Sequence, residues 1–296
     1  TVVGTVPVTL RGANGEDQII GGAGYDTIYS GAGDDTVSGG VGDDVIDGGS
    51  GDDILSGNLG DDTIKGGAGN DAISGGVGSD VAVFVGNQSN YTFASSADGL
   101  TITVTDTANN YADTVTGVET LSFNDGDIQV SQDENGLVLK GGSGDDTITV
   151  VGTVPVTLRG ANGEDQIIGG AGHDTIYSGA GDDTVLGGVG DDVIDGGSGD
   201  DILSGNLGDD TIKGGAGNDA ISGGVGSDVA VFVGNQSNYT FASSADGLTI
   251  TVTDTANNYA DTVTGIETLS FSDGDIQVSQ DENGLVLEGG SGDDTI

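Results

Sequence analysis

One side chain recurs at a constant interval through most of the chain. From residue 12 the sequence reads GANGEDQII, GGAGYDTIY, SGAGDDTVS, GGVGDDVID, GGSGDDILS, GNLGDDTIK, GGAGNDAIS and GGVGSDVAV, eight nine-residue units that reach residue 83 without an insertion. Position six is Asp in every unit: Asp17, Asp26, Asp35, Asp44, Asp53, Asp62, Asp71 and Asp80. The same units return from 160 to 231 and supply Asp165, Asp174, Asp183, Asp192, Asp201, Asp210, Asp219 and Asp228. A ninth unit at 141–149 adds Asp146, and Asp294 holds the same place in GGSGDDTI at 289–296. Carboxylates at short, fixed spacing, without His or Cys beside them, offer hard oxygen donors. That donor type suits Ca²⁺ with its six to eight flexible ligands. Mg²⁺ fits less well, because it keeps its waters and demands octahedral geometry.

Composition removes the competing chemistries. The 296 residues include 49 acidic and 5 basic side chains, for a formal charge of −44, with 60 Gly and no Cys, Met or Trp. Without Cys there is no disulfide framework, thiolate zinc site or thiol nucleophile. Five cations make no basic footprint for nucleic acid. No apolar run reaches the length of a membrane-spanning helix. The sole His, His173, is Tyr25 in the matching place earlier in the chain, so it is read as a surface residue. No catalytic constellation emerges: the Ser residues have no repeated base partner. The Gly-rich turns lack the Lys-Ser/Thr of a phosphate-binding loop. The expectation is a non-enzyme.

The elements that position the Asp residues follow from two nested repeats. Residues 1–148 and 149–296 align without a gap and differ at five places: Tyr25/His173, Ser38/Leu186, Val118/Ile266, Asn124/Ser272 and Lys140/Glu288. The chain begins and ends inside a nine-residue unit, which predicts a section of a longer tandem array. Within a unit, Gly at positions one, two and four permits tight bending over the first six residues. Positions seven to nine favour a short strand with one inward apolar side chain, at position eight. Two units then make one 18-residue coil, and successive coils stack as parallel strands about 4.8 Å apart. Asp17, Asp35, Asp53 and Asp71 line one edge; Asp26, Asp44, Asp62 and Asp80 line the other. Stacked carboxylates at that spacing repel unless a cation lies between them. The apolar core is one residue thick, so the cation is expected to be a structural requirement, with about six ions per eight-unit run.

The unit resembles the RTX (repeats-in-toxin, hemolysin-type) signature GGxGxDxUx, with U aliphatic. The resemblance covers 12–83, 141–149 and 160–231. It departs at Ser30 and Ser178, which replace the first Gly, and at Ala13, Asn58, Ala161 and Asn206, which replace the second. Ala82 and Ala230 weaken the last apolar slot, so the end units are expected to hold calcium less well. The resemblance implies an all-β fold: a right-handed parallel β-roll (β-solenoid) with Ca²⁺ in the turns, disordered without the ion. It also implies export through a type I secretion channel to the cell exterior.

Residues 84–140 and 232–288 break the nine-residue period and gather aromatics: Phe84, Tyr91, Phe93, Tyr111 and Phe123 in the first copy. LTITVTD (100–106) alternates as a half-buried strand does. TVTGVETLSF (114–123) reads as a further strand bent at Gly117. Ile128–Ser131 and Leu137–Leu139 flank Asp133-Glu134-Asn135-Gly136, a hairpin turn. Each spacer is thus a small antiparallel β element that covers a roll. Asp125 and Asp127 are turn residues or donors to an extra ion. The ten residues 150–159, with Pro155, are expected to enlarge one loop or strand, as are those around Pro7. The predicted division is therefore 1–83 roll, 84–140 spacer, 141–231 roll, 232–288 spacer and 289–296 start of another roll.

Three functions compete. The first is a calcium-rigidified structural repeat of a long secreted bacterial surface protein: an adhesin stalk, filament or coat. Its partners would be further copies of the module, with lateral self-assembly. The second is a Ca²⁺-dependent polysaccharide-binding module, which the acidity disfavours for an anionic glycan. The third is the secretion and folding region of an RTX enzyme or toxin, against which the near-identity of the two copies argues.

Overall fold

The computed structural model describes residues 4–134, 136–245, 247–281 and 284–290. Asp294, Asn135 of the hairpin turn and most of 289–296 lie outside the described residues. Contacts divide the chain into Thr1–Gly142 and Ser143–Ile296.

In the first unit the nine-residue period becomes two parallel sheets. Strands Thr9–Asn14, Thr27–Ala32, Val45–Ser50, Thr63–Ala68 and Val81–Val83 form one; Gln18–Ala23, Thr36–Val41, Ile54–Leu59 and Ala72–Val77 form the other. Each residue pairs with the one 18 places on, as Ile28 does with Ile46 and Ile46 with Ile64. Position eight points inward at every step: Ile28, Val37, Ile46, Leu55, Ile64, Ile73 and Ala82 are at most 2% exposed. The core is therefore a single file of aliphatic side chains between two sheets.

The strands are longer than the sequence suggests. Most run six residues, through positions one to three of the next unit. Pairing continues there, as Gly31 with Gly49 and Ala32 with Ser50. The turn is thereby confined to positions four to six. Gly at position two sits at positive φ (119° at Gly31), and a Cβ there would run into the carbonyl of Ala13 in the preceding coil. Where Gly is replaced, the backbone keeps that conformation: φ is 99° at Ala13, 79° at Asn58, 91° at Ala161 and 77° at Asn206. Ser30, at position one, is accommodated differently. Its hydroxyl donates to the Gly48 carbonyl at 2.7 Å.

The spacer is not purely antiparallel. Thr114–Thr116 pairs in parallel with Ala72–Ser74, and Thr120–Ser122 in parallel with Val81–Val83. The segment read as one strand bent at Gly117 is two strands, one on each sheet of the roll, with Gly117 at φ 55° between them. Antiparallel partners then extend each sheet: Thr101–Asp106 and Tyr91–Ser95 on one side, Asp127–Asp133 and Gly136–Lys140 on the other. Phe123 packs against Phe84, Tyr91 and Phe93, with ring centroids 5.4, 5.1 and 6.0 Å away. This aromatic cluster widens the one-residue core into a lid.

The second unit repeats the pattern and adds one strand ahead of it. Thr147–Thr149 pairs with Gln166–Ile168, and Thr157–Asn162 with Thr175–Ala180. Residues 150–159 enlarge the loop by one residue, since Thr147 pairs 19 places on instead of 18, and they lead into the strand that makes the second half of an opening coil. Leu158 fills the position-eight slot at 0% exposure, and Val156 stands where Asp is expected.

The strained position-two residues give a stability test. Ala161→Gly removes a side chain from a backbone that disfavours it by about 1 kcal/mol. The variant is expected to unfold at a higher denaturant midpoint in saturating Ca²⁺; a lowered midpoint would show that Ala161 earns its place through packing.

Candidate metal centre

The position-six Asp side chains turn inward, beside the core. Asp26, Asp35, Asp44, Asp53, Asp62, Asp71 and Asp80 are at most 2% exposed, and so are Asp165, Asp174, Asp183, Asp192, Asp201, Asp210, Asp219 and Asp228. Asp17 is half-buried and Asp146 is 4% exposed. Full burial of unpaired carboxylates is costly, so each oxygen needs an account.

One oxygen is used within the protein. Oδ1 of the position-six Asp residues from Asp26 to Asp80 and from Asp165 to Asp228 accepts the main-chain N–H of the residue one coil earlier. Asp26 N–H donates to Asp44 at 2.7 Å, Asp44 N–H to Asp62 at 2.7 Å and Asp62 N–H to Asp80 at 2.8 Å. The other edge runs from Asp17 through Asp35 and Asp53 to Asp71 in the same way. In the second unit, Asp146, Asp165, Asp183, Asp201 and Asp219 form one column, and Asp174, Asp192, Asp210 and Asp228 the other. At the start of the latter column Val156 N–H donates to Asp174. The two predicted edges are thus brought together as two columns of carboxylates.

The other oxygen has no partner. Oδ2 of all sixteen position-six residues from Asp17 to Asp80 and Asp165 to Asp228 is buried without a hydrogen bond. Where position one is Gly, that oxygen lies against it, and most coils also present there a main-chain carbonyl from the following coil. A Cβ on Gly21 would sit 2.6 Å from Asp26 Oδ2 and 2.5 Å from the Gly39 carbonyl; on Gly169 it would sit 2.7 Å from Asp174 Oδ2 and 2.5 Å from the Gly187 carbonyl. Carboxylate oxygens without donors and main-chain carbonyls therefore converge where no side chain fits. Among the described residues no three His, Cys, Asp or Glu side chains gather as a metal cluster. The donor set is one carboxylate at a time plus main-chain carbonyls, all hard oxygen, which fits Ca²⁺.

Electrostatics agree. Burial pushes Asp53, Asp62, Asp165, Asp174 and Asp228 up to about 6, and Asp192 and Asp201 up to about 7. The N–H bond one coil earlier opposes the shift, and in most of them the neighbouring carboxylates of the column add to it. Removing water from the charged form is the main cause.

Position five makes a second, exposed ladder of opposite polarity. Asp34 accepts from Asp52 N–H at 2.9 Å, and Asp43 from Asp61 N–H at 3.0 Å, each one coil later. His173 takes the same role: its Nδ1 accepts from Asp191 N–H at 2.8 Å. It is a surface residue, as its exchange with Tyr25 suggests, and it has a backbone partner.

Two carboxylates missed in the sequence extend the buried columns into the spacer. Asp71 N–H donates to Asp113 at 2.8 Å, and Asp80 N–H to Glu119 at 2.8 Å; Asp261 and Glu267 do the same for Asp219 and Asp228. The signal was present in Asp113-Thr114-Val115-Thr116, which echoes Asp35-Thr36-Val37-Ser38, and in Glu119-Thr120-Leu121-Ser122. Six residues rather than nine separate the two, so the period hides them. Asp125 accepts from Gln88 N–H at 2.9 Å, 37 residues earlier in the chain.

Comparison with known proteins follows the same lines. The RTX calcium-binding nonapeptide repeat (4 copies) matches residues 11–46, 47–82, 138–149, 159–194, 195–230 and 286–296, more than half of the chain. No curated protein matches. Among solved structures, the extracellular lipase LipA from Serratia marcescens aligns at 22% identity and a TM-score of 0.32, over 83% of this chain and 43% of that one. The chain thus spans less than half the length of that lipase. With the nine-residue period, the parallel solenoid and the inward Asp columns in place, the family match is decisive: the chain belongs to the RTX calcium-binding nonapeptide repeat family.

Proposed function

We propose that the two units are calcium-folded structural modules of a secreted bacterial surface protein, and that Ca²⁺ sits between same-edge neighbours in the Asp columns. The observation that carries this reading is the set of sixteen buried Oδ2 atoms without a partner. A divalent cation there would satisfy them and offset the repulsion along each column. The roll has a one-residue core, so the ions would supply the missing stability, and binding and folding would be one process. Extracellular calcium modules bind at about 10⁻⁴–10⁻³ M. At cytosolic calcium the chain would stay open, passable through a type I secretion channel, and it would fold outside.

The role of such a module is mechanical. Two copies alike at all but five positions carry no divergent site. Repetition would set reach, as in an adhesin stalk, filament or coat. Small-angle scattering of the chain in millimolar Ca²⁺ is expected to give an elongated particle. A radius of gyration of about 19 Å, that of a compact globule of this length, would overturn the stalk reading.

The raised Asp values predict an inverted pH response without metal. Between the ordinary carboxylate range and about 6 to 7, the folded state holds protons that the unfolded chain has released. Metal-free stability therefore falls as pH rises through that window. In chelator, the far-UV β signal is expected to grow when pH is lowered from 7.5 to about 5. A signal that is flat or falls on acidification would contradict the buried columns.

A further inference from the structure

The last coil of each unit meets the spacer through atoms that copy a coil-to-coil junction. Asp80 is 0% exposed and its Oδ2 has no partner. That oxygen lies against Gly75, where a Cβ would also meet the Gly117 carbonyl. At Gly21 the corresponding carbonyl is that of Gly39, the position-one residue of the next coil. Gly117 therefore supplies from the spacer the oxygen that a further repeat would supply. It does so because its φ of 55° turns the chain back within a shortened turn, and its carbonyl is held by Gly76 N–H at 3.1 Å. Glu119 completes the likeness: its Oε2 accepts Asp80 N–H at 2.8 Å, as Asp80 Oδ1 accepts Asp62 N–H at 2.8 Å. The second unit repeats each feature with Asp228, Gly265 and Glu267, at φ 55° for Gly265 and 2.9 Å for the Asp228 N–H bond. Glu119 and Glu267 lie outside the residues that match the repeat family.

We propose that each spacer completes one more Ca²⁺ site, built from Asp80, the Gly117 carbonyl and Glu119 in the first unit and from Asp228, the Gly265 carbonyl and Glu267 in the second. The longer Glu side chain suits this place because the turn before it is three residues shorter than a repeat turn. The ion would fasten the spacer to the roll and end the column on a charged pair instead of an open edge. The inference rests on the reading that Ca²⁺ occupies the Asp columns.

Native mass spectrometry of the 296-residue chain, counting bound Ca²⁺, tests it. Glu119→Gln with Glu267→Gln keeps an oxygen to accept the Asp80 and Asp228 N–H groups and removes the charge. The double variant is expected to keep its β spectrum and carry two fewer ions than the unaltered chain. An equal count overturns the spacer site alone; an unaltered chain that binds no Ca²⁺ overturns the column reading as well. Should the Gln variant lose its β spectrum, Glu119→Asp with Glu267→Asp restores a carboxylate. A folded Asp variant two ions short then supports the site, because the shorter side chain does not span the place that suits Glu, and a full count overturns it. Thr120→Ala with Thr268→Ala, which alters the same strands without touching a donor oxygen, is expected to leave the count unchanged.

Discussion

The fold depends on one oxygen atom repeated sixteen times. Oδ2 of the position-six Asp is buried in a column of its own kind, and without a hydrogen bond. A protein interior does not tolerate that arrangement unaided. Its partner oxygen, Oδ1, is bonded to the N–H one coil earlier, so the side chain has no freedom to turn away. The same bond that sets the 18-residue pitch thus fixes the orphan oxygen in place. The coil pitch and the buried oxygen columns are consequences of one side chain.

Glycine is the counterpart of that constraint. Position one has no Cβ because Asp Oδ2 and a carbonyl occupy its space, and position two has none because the preceding coil does. Ser30 and Ser178 are tolerated at position one because their hydroxyls donate to the carbonyls of Gly48 and Gly196. The exposed position-five ladder runs the other way, each carboxylate accepting from the following coil. Inner and outer ladders together tie successive turns in both directions, and the inner one buries an oxygen without a partner.

Much of this was legible in the sequence. The period of nine gave the coil, the two edges and the inward position eight, because a repeated backbone solution imposes the same residue at each contact. Ile28 and Ile46 could be paired from spacing alone. The reading failed where the period breaks but the geometry does not. Residues 150–159 form half a coil with Val156 in the Asp place, and Thr114–Thr116 and Thr120–Ser122 extend the roll within the spacer. Asp113 and Glu119 continue the columns across a turn shortened from nine to six residues. Strand length was underestimated for a related reason: parallel pairing carries through Gly-rich positions that propensity alone assigns to turns.

The central claim is that the buried carboxylate, and not the acidity of the turn as a whole, holds calcium. Asp43 and Asp44 are adjacent in one turn; Asp43 is part of the outer ladder and Asp44 of the inner column. Calcium titration of Asp43→Ala and Asp44→Ala, followed by far-UV circular dichroism, separates them most directly. The account predicts that Asp44→Ala shifts the folding midpoint to higher Ca²⁺ while Asp43→Ala leaves it near that of the unaltered chain. Equal midpoints for the two variants would contradict it.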